Sequence, residues 1–179
     1  THATSQTVTI TASPFIKHSG YIDDAQVWKE GLHLITSTVT IRQGSVTIEP
    51  GAQIFMNKEA SIVVGNSGTT TVGGALFKAI GTVDKPIVFK PASGLAKPGE
   101  WGHIFFNAKA SPLSILNYCK IQYGGVGSFS AYFDSDFSSA SDHGIISIED
   151  ARDSIGNSEI KGASYWGLSA RSGGFVSFT

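Results

Sequence analysis

Residues 39–64 read VTIRQGSVTIEPGAQIFMNKEASIVV, and this stretch decides the fold class. Val39-Thr40-Ile41 and Val46-Thr47-Ile48 alternate with the period of two that sends successive side chains to opposite faces of a strand. Ile54-Phe55-Met56 and Ile62-Val63-Val64 are apolar at every position, as in strands with little wetted surface on either side. Between them stand turn residues. Pro50-Gly51 turns the chain between faces, because proline presets its φ and glycine is free to take a positive one.

The same rhythm runs outward through Val8-Thr9-Ile10, Ile87-Val88-Phe89, Ile104-Phe105-Phe106 and Ile146-Ser147-Ile148. No stretch of a dozen residues carries a helical stripe. Only Asp23 to Glu30 predicts a short helix, with Asp24 capping a turn that carries Val27 and Trp28. An antiparallel sandwich would show polar outer faces and Asn-Gly or Asp-Gly hairpins, and neither dipeptide occurs. Short strands recurring without hairpin turns fit an all-β solenoid, whose stacked coils of about 20 to 25 residues share one core.

Composition agrees. Of 179 residues 41% are hydrophobic and only 15% charged, the difference being made up by Gly, Ser and Thr, which suits short strands and many turns. No apolar run is long enough to span a membrane as a helix. The net charge is −1 and the basic residues are scattered along the chain, so nucleic acid is not an expected partner. Cys119 is the only cysteine and lies in an apolar run, which predicts a small core residue and excludes an internal disulfide.

The order of motifs resembles the secreted right-handed parallel β-helix repeat proteins of bacterial cell surfaces. The likeness rests on Tyr21-Ile22-Asp23-Asp24 through Trp28 with Gly31-Leu32-His33-Leu34, and on Gly44 to Gly51. It continues through Gly74-Ala75-Leu76 with Ala79-Ile80-Gly81-Thr82 and Lys85-Pro86-Ile87-Val88-Phe89, then Pro98-Gly99-Glu100-Trp101-Gly102, then Leu116 to Gly125. What it implies is a single-stranded right-handed parallel β-helix with an N-terminal capping segment. Residues 1–31 would be that strand and cap, and residues 32–179 the coils, continuing in a longer parent chain. Trp101 is expected over the side of a coil. Secretion, or a place at the cell surface, is implied in the same way.

Residues 126–142 interrupt the rhythm with aromatics and acids among small polar residues, and read as a projecting loop. Sugars stack on aromatic rings and bond to carboxylates, so Phe129, Tyr132, Phe133, Asp134 and Asp136, with Tyr165 and Trp166 as a second group, are the candidate carbohydrate contacts. Tyr118, Tyr123, Phe89, Phe105 and Phe106 read as internal stacks. No catalytic or metal-ligating set emerges, and no cofactor is expected. Calcium alone stays open, through Asp134, Asp136 and Asp142.

The charged run Glu149-Asp150-Ala151-Arg152-Asp153 reads as a solvated turn, and His143 as a structural or surface residue. The expectation is a non-catalytic extracellular scaffold or adhesion module that binds carbohydrate, a polysaccharide or cell-surface glycan. The alternative is a polysaccharide lyase or glycoside hydrolase acting on an acidic polysaccharide. Arg152 would then serve with Asp134, Asp136 and Asp150, and with Arg171 if the two arginines stack. The closing alternation Gly174 to Thr179 predicts an uncapped last coil, open to edge-to-edge pairing.

Overall fold

The computed structural model describes residues 14–65, 74–126, 144–149, 151–171 and 173–178. Among them there is no helix, and so none long and apolar enough to cross a membrane. The architecture is all-β, and every strand pair is parallel.

The chain lays its strands down in repeating groups. First come β1 (Ile16–Ile22) and β2 (Ala25–Trp28), then β3 (Leu32–Ile41) and β4 (Ser45–Ile48). They are followed by β5 (Gln53–Met56), β6 (Ile62–Val64) and β7 (Leu76–Ile80), then β8 (Ile87–Pro91), β9 (Ile104–Phe106) and β10 (Ile115–Asn117). The last groups are β11 (Cys119–Gln122), β12 (Gly144–Glu149) and β13 (Arg152–Gly156), then β14 (Glu159–Lys161), β15 (Trp166–Arg171) and β16 (Phe175–Phe178).

Each strand pairs with its counterpart in the next group. One sheet runs β2-β4-β7-β10-β13-β16, and the other runs β14-β11-β8-β5-β3-β6-β9-β12-β15. The long β3 belongs to both arms of that second sheet: Leu32–Ile35 pairs with β5, and Val39–Ile41 with β6. The advance per group is uneven. Leu32 meets Gln53, 21 residues on, whereas Lys120 meets Glu159, 39 residues on. The links between strands absorb the extra residues, so register is kept while loop length varies.

Alternate residues form straight inward columns. One is Ile22, Ile41, Val64, Phe106 and Ile148; another is Trp28, Ile48, Ala79, Leu116 and Ile155. All ten are buried. Each large apolar side chain so placed contributes roughly 1.5–3 kcal/mol. The β6-β9-β12 arm is buried on its other side too, at Val63, Phe105 and Ser147, as expected from the unbroken apolar runs of β6 and β9, whereas β5, read in the same way, turns Phe55 outward and leaves it half-buried.

Two local expectations are corrected. Residues 25–28 form strand β2 rather than a helical turn, because pairing with β4 from Ala25 to Trp28 supplies hydrogen bonds that one isolated turn cannot match. It leaves Val27 exposed and Trp28 buried. Tyr118 and Tyr123 are not internal. They are half-buried corner residues in the left-handed region (φ 50° and 65°), where the chain leaves β10 and β11.

Candidate functional site

The outer face of the β3-β5-β8-β11-β14 arm gathers residues far apart in sequence. One outward column is Lys17, Leu34, Phe55 and Lys90, and it continues to Gln122 and Lys161 because Phe89 pairs with Ile121 in the preceding row. The neighbouring column is Leu32, Gln53, Val88, Lys120 and Glu159. Their inward neighbours Ile54, Phe89 and Ile121 are fully buried, so the alternation that builds the core also turns these groups to solvent.

Lys90 is held in place. Its Nζ donates to Gln53 Oε1 at 2.7 Å and sits 4.5 Å from the centre of the Phe55 ring. Phe15 meets the same ring edge-on at 5.0 Å. Lys17, Lys120 and Lys161 are exposed. The face therefore offers cations, amides, aliphatic side chains and the paired rings of Phe15 and Phe55, with strands about 4.8 Å apart.

At the corner beside Lys120 a groove of about 410 Å3 opens between Thr82, Val83, Pro86, Tyr118, Lys120, Asn157 and Glu159. Asn157 is in the left-handed region (φ 43°) and its Nδ2 donates to Asn117 Oδ1 at 3.1 Å, which fixes the corner. Cys119 lies behind the groove, buried, where desolvation pushes its thiol up to about 12 and disfavours the thiolate.

No family model, curated protein or solved structure matches this chain. Of the expected carbohydrate contacts, Phe129, Tyr132, Phe133, Asp134 and Asp136 lie outside the described residues, as do Asp142, His143 and Asp150. Tyr165 and Trp166 are exposed; Trp166 opens β15 in register with Gly144, on the opposite arm of that sheet from the lysine-bearing strands.

The charged run after β12 is not one solvated turn. Glu149 is buried and stands in register with Arg171, Arg152 is exposed beside Phe175, and Asp153 is buried. Arg152 and Arg171 belong to different sheets and do not stack. Among the described residues no three His, Cys, Asp or Glu side chains converge to hold a metal ion.

A histidine pair occupies the first strands. His33 Nε2–H donates to the Lys29 carbonyl at 2.8 Å, so its Nδ1 accepts from His18 Nε2–H at 2.9 Å. The His18 ring stacks on Trp28, centroids 4.1 Å apart. Burial, with His33 alongside, lowers His18 from 6.5 to about 4. The unfolded chain therefore takes up this proton first, and the contribution of the pair is full above pH 6.5 and lost as pH falls toward 4. Protection factors of the β1 amides, taken relative to the intrinsic exchange rate at each pH, are expected to fall over that window, and His18→Gln to flatten the response; unchanged protection would sink the assignment.

No residue spacing announced the lysine face. The only sequence signal was that Lys90 and Lys120 each sit between apolar residues of a short run, Phe89 and Pro91, Cys119 and Ile121, which places them on outer surfaces without saying which.

Proposed function

We propose that this chain is a right-handed parallel β-helix serving outside the cell as a non-catalytic scaffold or adhesion module, and that it holds carbohydrate on its lysine- and amide-bearing face. The observation that carries this reading is the outward grid of Lys17, Gln53, Phe55, Lys90, Lys120, Gln122 and Lys161 on one regular arm of a sheet. Sugars need just this mixture, amide and ammonium donors for hydroxyls and a ring face for the apolar side of a pyranose.

The helical reading is supported by parallel pairing throughout and by strands that return to the same ladders in the same order. A right-handed winding follows from the strong bias of parallel crossovers toward that hand. An extracellular setting suits the low charge content and the buried, unreactive single cysteine. Tyr165 and Trp166, both exposed, stay proposed contacts, as do Phe129, Tyr132, Phe133, Asp134 and Asp136.

The test is a panel of neutral and acidic polysaccharides, with and without calcium, scored for both retention and newly formed chain ends. Retention without cleavage is expected. Cleavage would establish the lyase or hydrolase alternative instead, and failure to retain any polymer would remove the carbohydrate role.

A further inference from the structure

Three consecutive strands of the proposed carbohydrate face each carry one outward ammonium: Lys90 on β8, Lys120 on β11 and Lys161 on β14. Lys17 on β1 extends the row, so that the four cations span about 24 Å across the strands at the usual strand spacing. Within these columns the one countercharge is Glu159, in register with Lys120. Between the cations lie Gln53, Gln122, Phe55, Leu34 and Val88 rather than further charge.

We infer that the face binds a linear polyanionic polysaccharide lying across the strands, its carboxylate or sulfate groups paired with Lys90, Lys120 and Lys161 and its sugar rings resting on Gln53, Phe55 and Gln122. The inference rests on the carbohydrate reading above and names its ligand class. The strand spacing is close to the length of one pyranose residue, so a chain running across the strands meets an equivalent row at each sugar. A chain running along them would meet at most two of these lysines.

Charge density separates this ligand from nucleic acid. Duplex DNA presents one phosphate about every 1.7 Å, and affinity for it comes from releasing many counterions at once. Four lysines over about 24 Å, on a chain of net charge −1, suit a sparser polyanion with hydrogen-bonding groups between its charges. Lys90 supports this from its surroundings. Fixed by Gln53 and Phe55, it gives up less side-chain freedom on binding than a free surface lysine would.

The decisive comparison uses carboxymethyl cellulose against hydroxyethyl cellulose, one backbone with and without charge, and single-stranded poly(dT) at the same ionic strength. Retention on carboxymethyl cellulose, falling with added salt and at least tenfold weaker on the uncharged polymer, is expected. The triple variant Lys90→Gln, Lys120→Gln, Lys161→Gln should lose about tenfold or more, each exposed charge being worth a few tenths to one kcal/mol. The control triple Lys29→Gln, Lys58→Gln, Lys97→Gln, which alters exposed lysines elsewhere, should bind as the parent does. Equal loss in both triples, or tighter binding to poly(dT), would overturn the inference. Equal retention of the two celluloses would overturn it while leaving the carbohydrate reading standing; retention of neither would overturn it too, the carbohydrate reading falling only if the full polysaccharide panel also fails.

Discussion

Asp153→Val is expected to stabilise the protein, by about 4 kcal/mol more at pH 8 than at pH 4. Asp153 points into the core, 3% exposed, and neither carboxylate oxygen has a hydrogen-bond partner. Its place in the stack explains why. The inward column to which it belongs runs Val46, Phe77, Ser114, Asp153 and Val176, since Ile115 pairs with Ser154 and so sets Ser114 against Asp153 in the row before. Ser114 accepts from the Phe77 amide through its hydroxyl oxygen at 3.2 Å and makes no hydrogen bond to either Asp153 oxygen. Desolvation raises the carboxyl from 3.8 to about 7.

Between pH 3.8 and about 7 the folded protein keeps a proton that the unfolded chain has released, so stability is greatest below that range and falls as pH rises through it. Valine at this position continues an apolar column and has nothing to ionise. Thermal unfolding of the parent and the variant between pH 4 and pH 8 checks this, with a difference in midpoint of roughly 10 °C opening toward the alkaline end. Asp153→Asn should lose the pH slope while keeping an unpaired polar group, and parallel profiles for all three proteins would refute the account.

The second large effect concerns Trp101. It is wholly buried, its indole N–H donates to the Gln122 carbonyl at 2.7 Å, and its ring lies flat enough on Gly124 that a Cβ there would come within 2.6 Å of it. Trp101→Ala should cost about 3–5 kcal/mol through lost packing and an emptied site. Gly124→Ala should cost about 1–3 kcal/mol by forcing the ring aside. The two are expected to be strongly non-additive. Once the ring is gone the added methyl has room, so Gly124→Ala should cost nothing further in the Trp101→Ala background. Chemical denaturation of the four proteins of this cycle measures the coupling, and additive costs would show that the glycine serves some purpose other than accommodating the indole.

These two positions show how differently the chain discloses itself. Trp101-Gly102 and Gly124-Gly125 stand out in the sequence, and the structure gives the reason: the glycines leave room for the indole, for the Ser61 hydroxyl and for a left-handed turn at Gly125 (φ 92°). Asp153 gave no such sign. In Glu149-Asp150-Ala151-Arg152-Asp153 it looks like one more solvated charge, and only the parity of β13 turns Arg152 outward and Asp153 inward. A shift of one residue would exchange them.

The sequence by itself determined that the protein is all-β, where most of its short strands lie, and that Pro50-Gly51 turns the chain with a positive φ at the glycine. Those features are local, because a period of two or a glycine reports on its own few residues, whereas an unbroken apolar run marked burial on both sides in β6 and β9 but not in β5. Tertiary structure alone decided that residues 25–28 are a strand, that Tyr118 and Tyr123 are corners, and that Lys17, Lys90, Lys120 and Lys161 share one face. Parallel register brings together residues dozens of positions apart, and loops of uneven length between them erase any fixed spacing from which that meeting could be read.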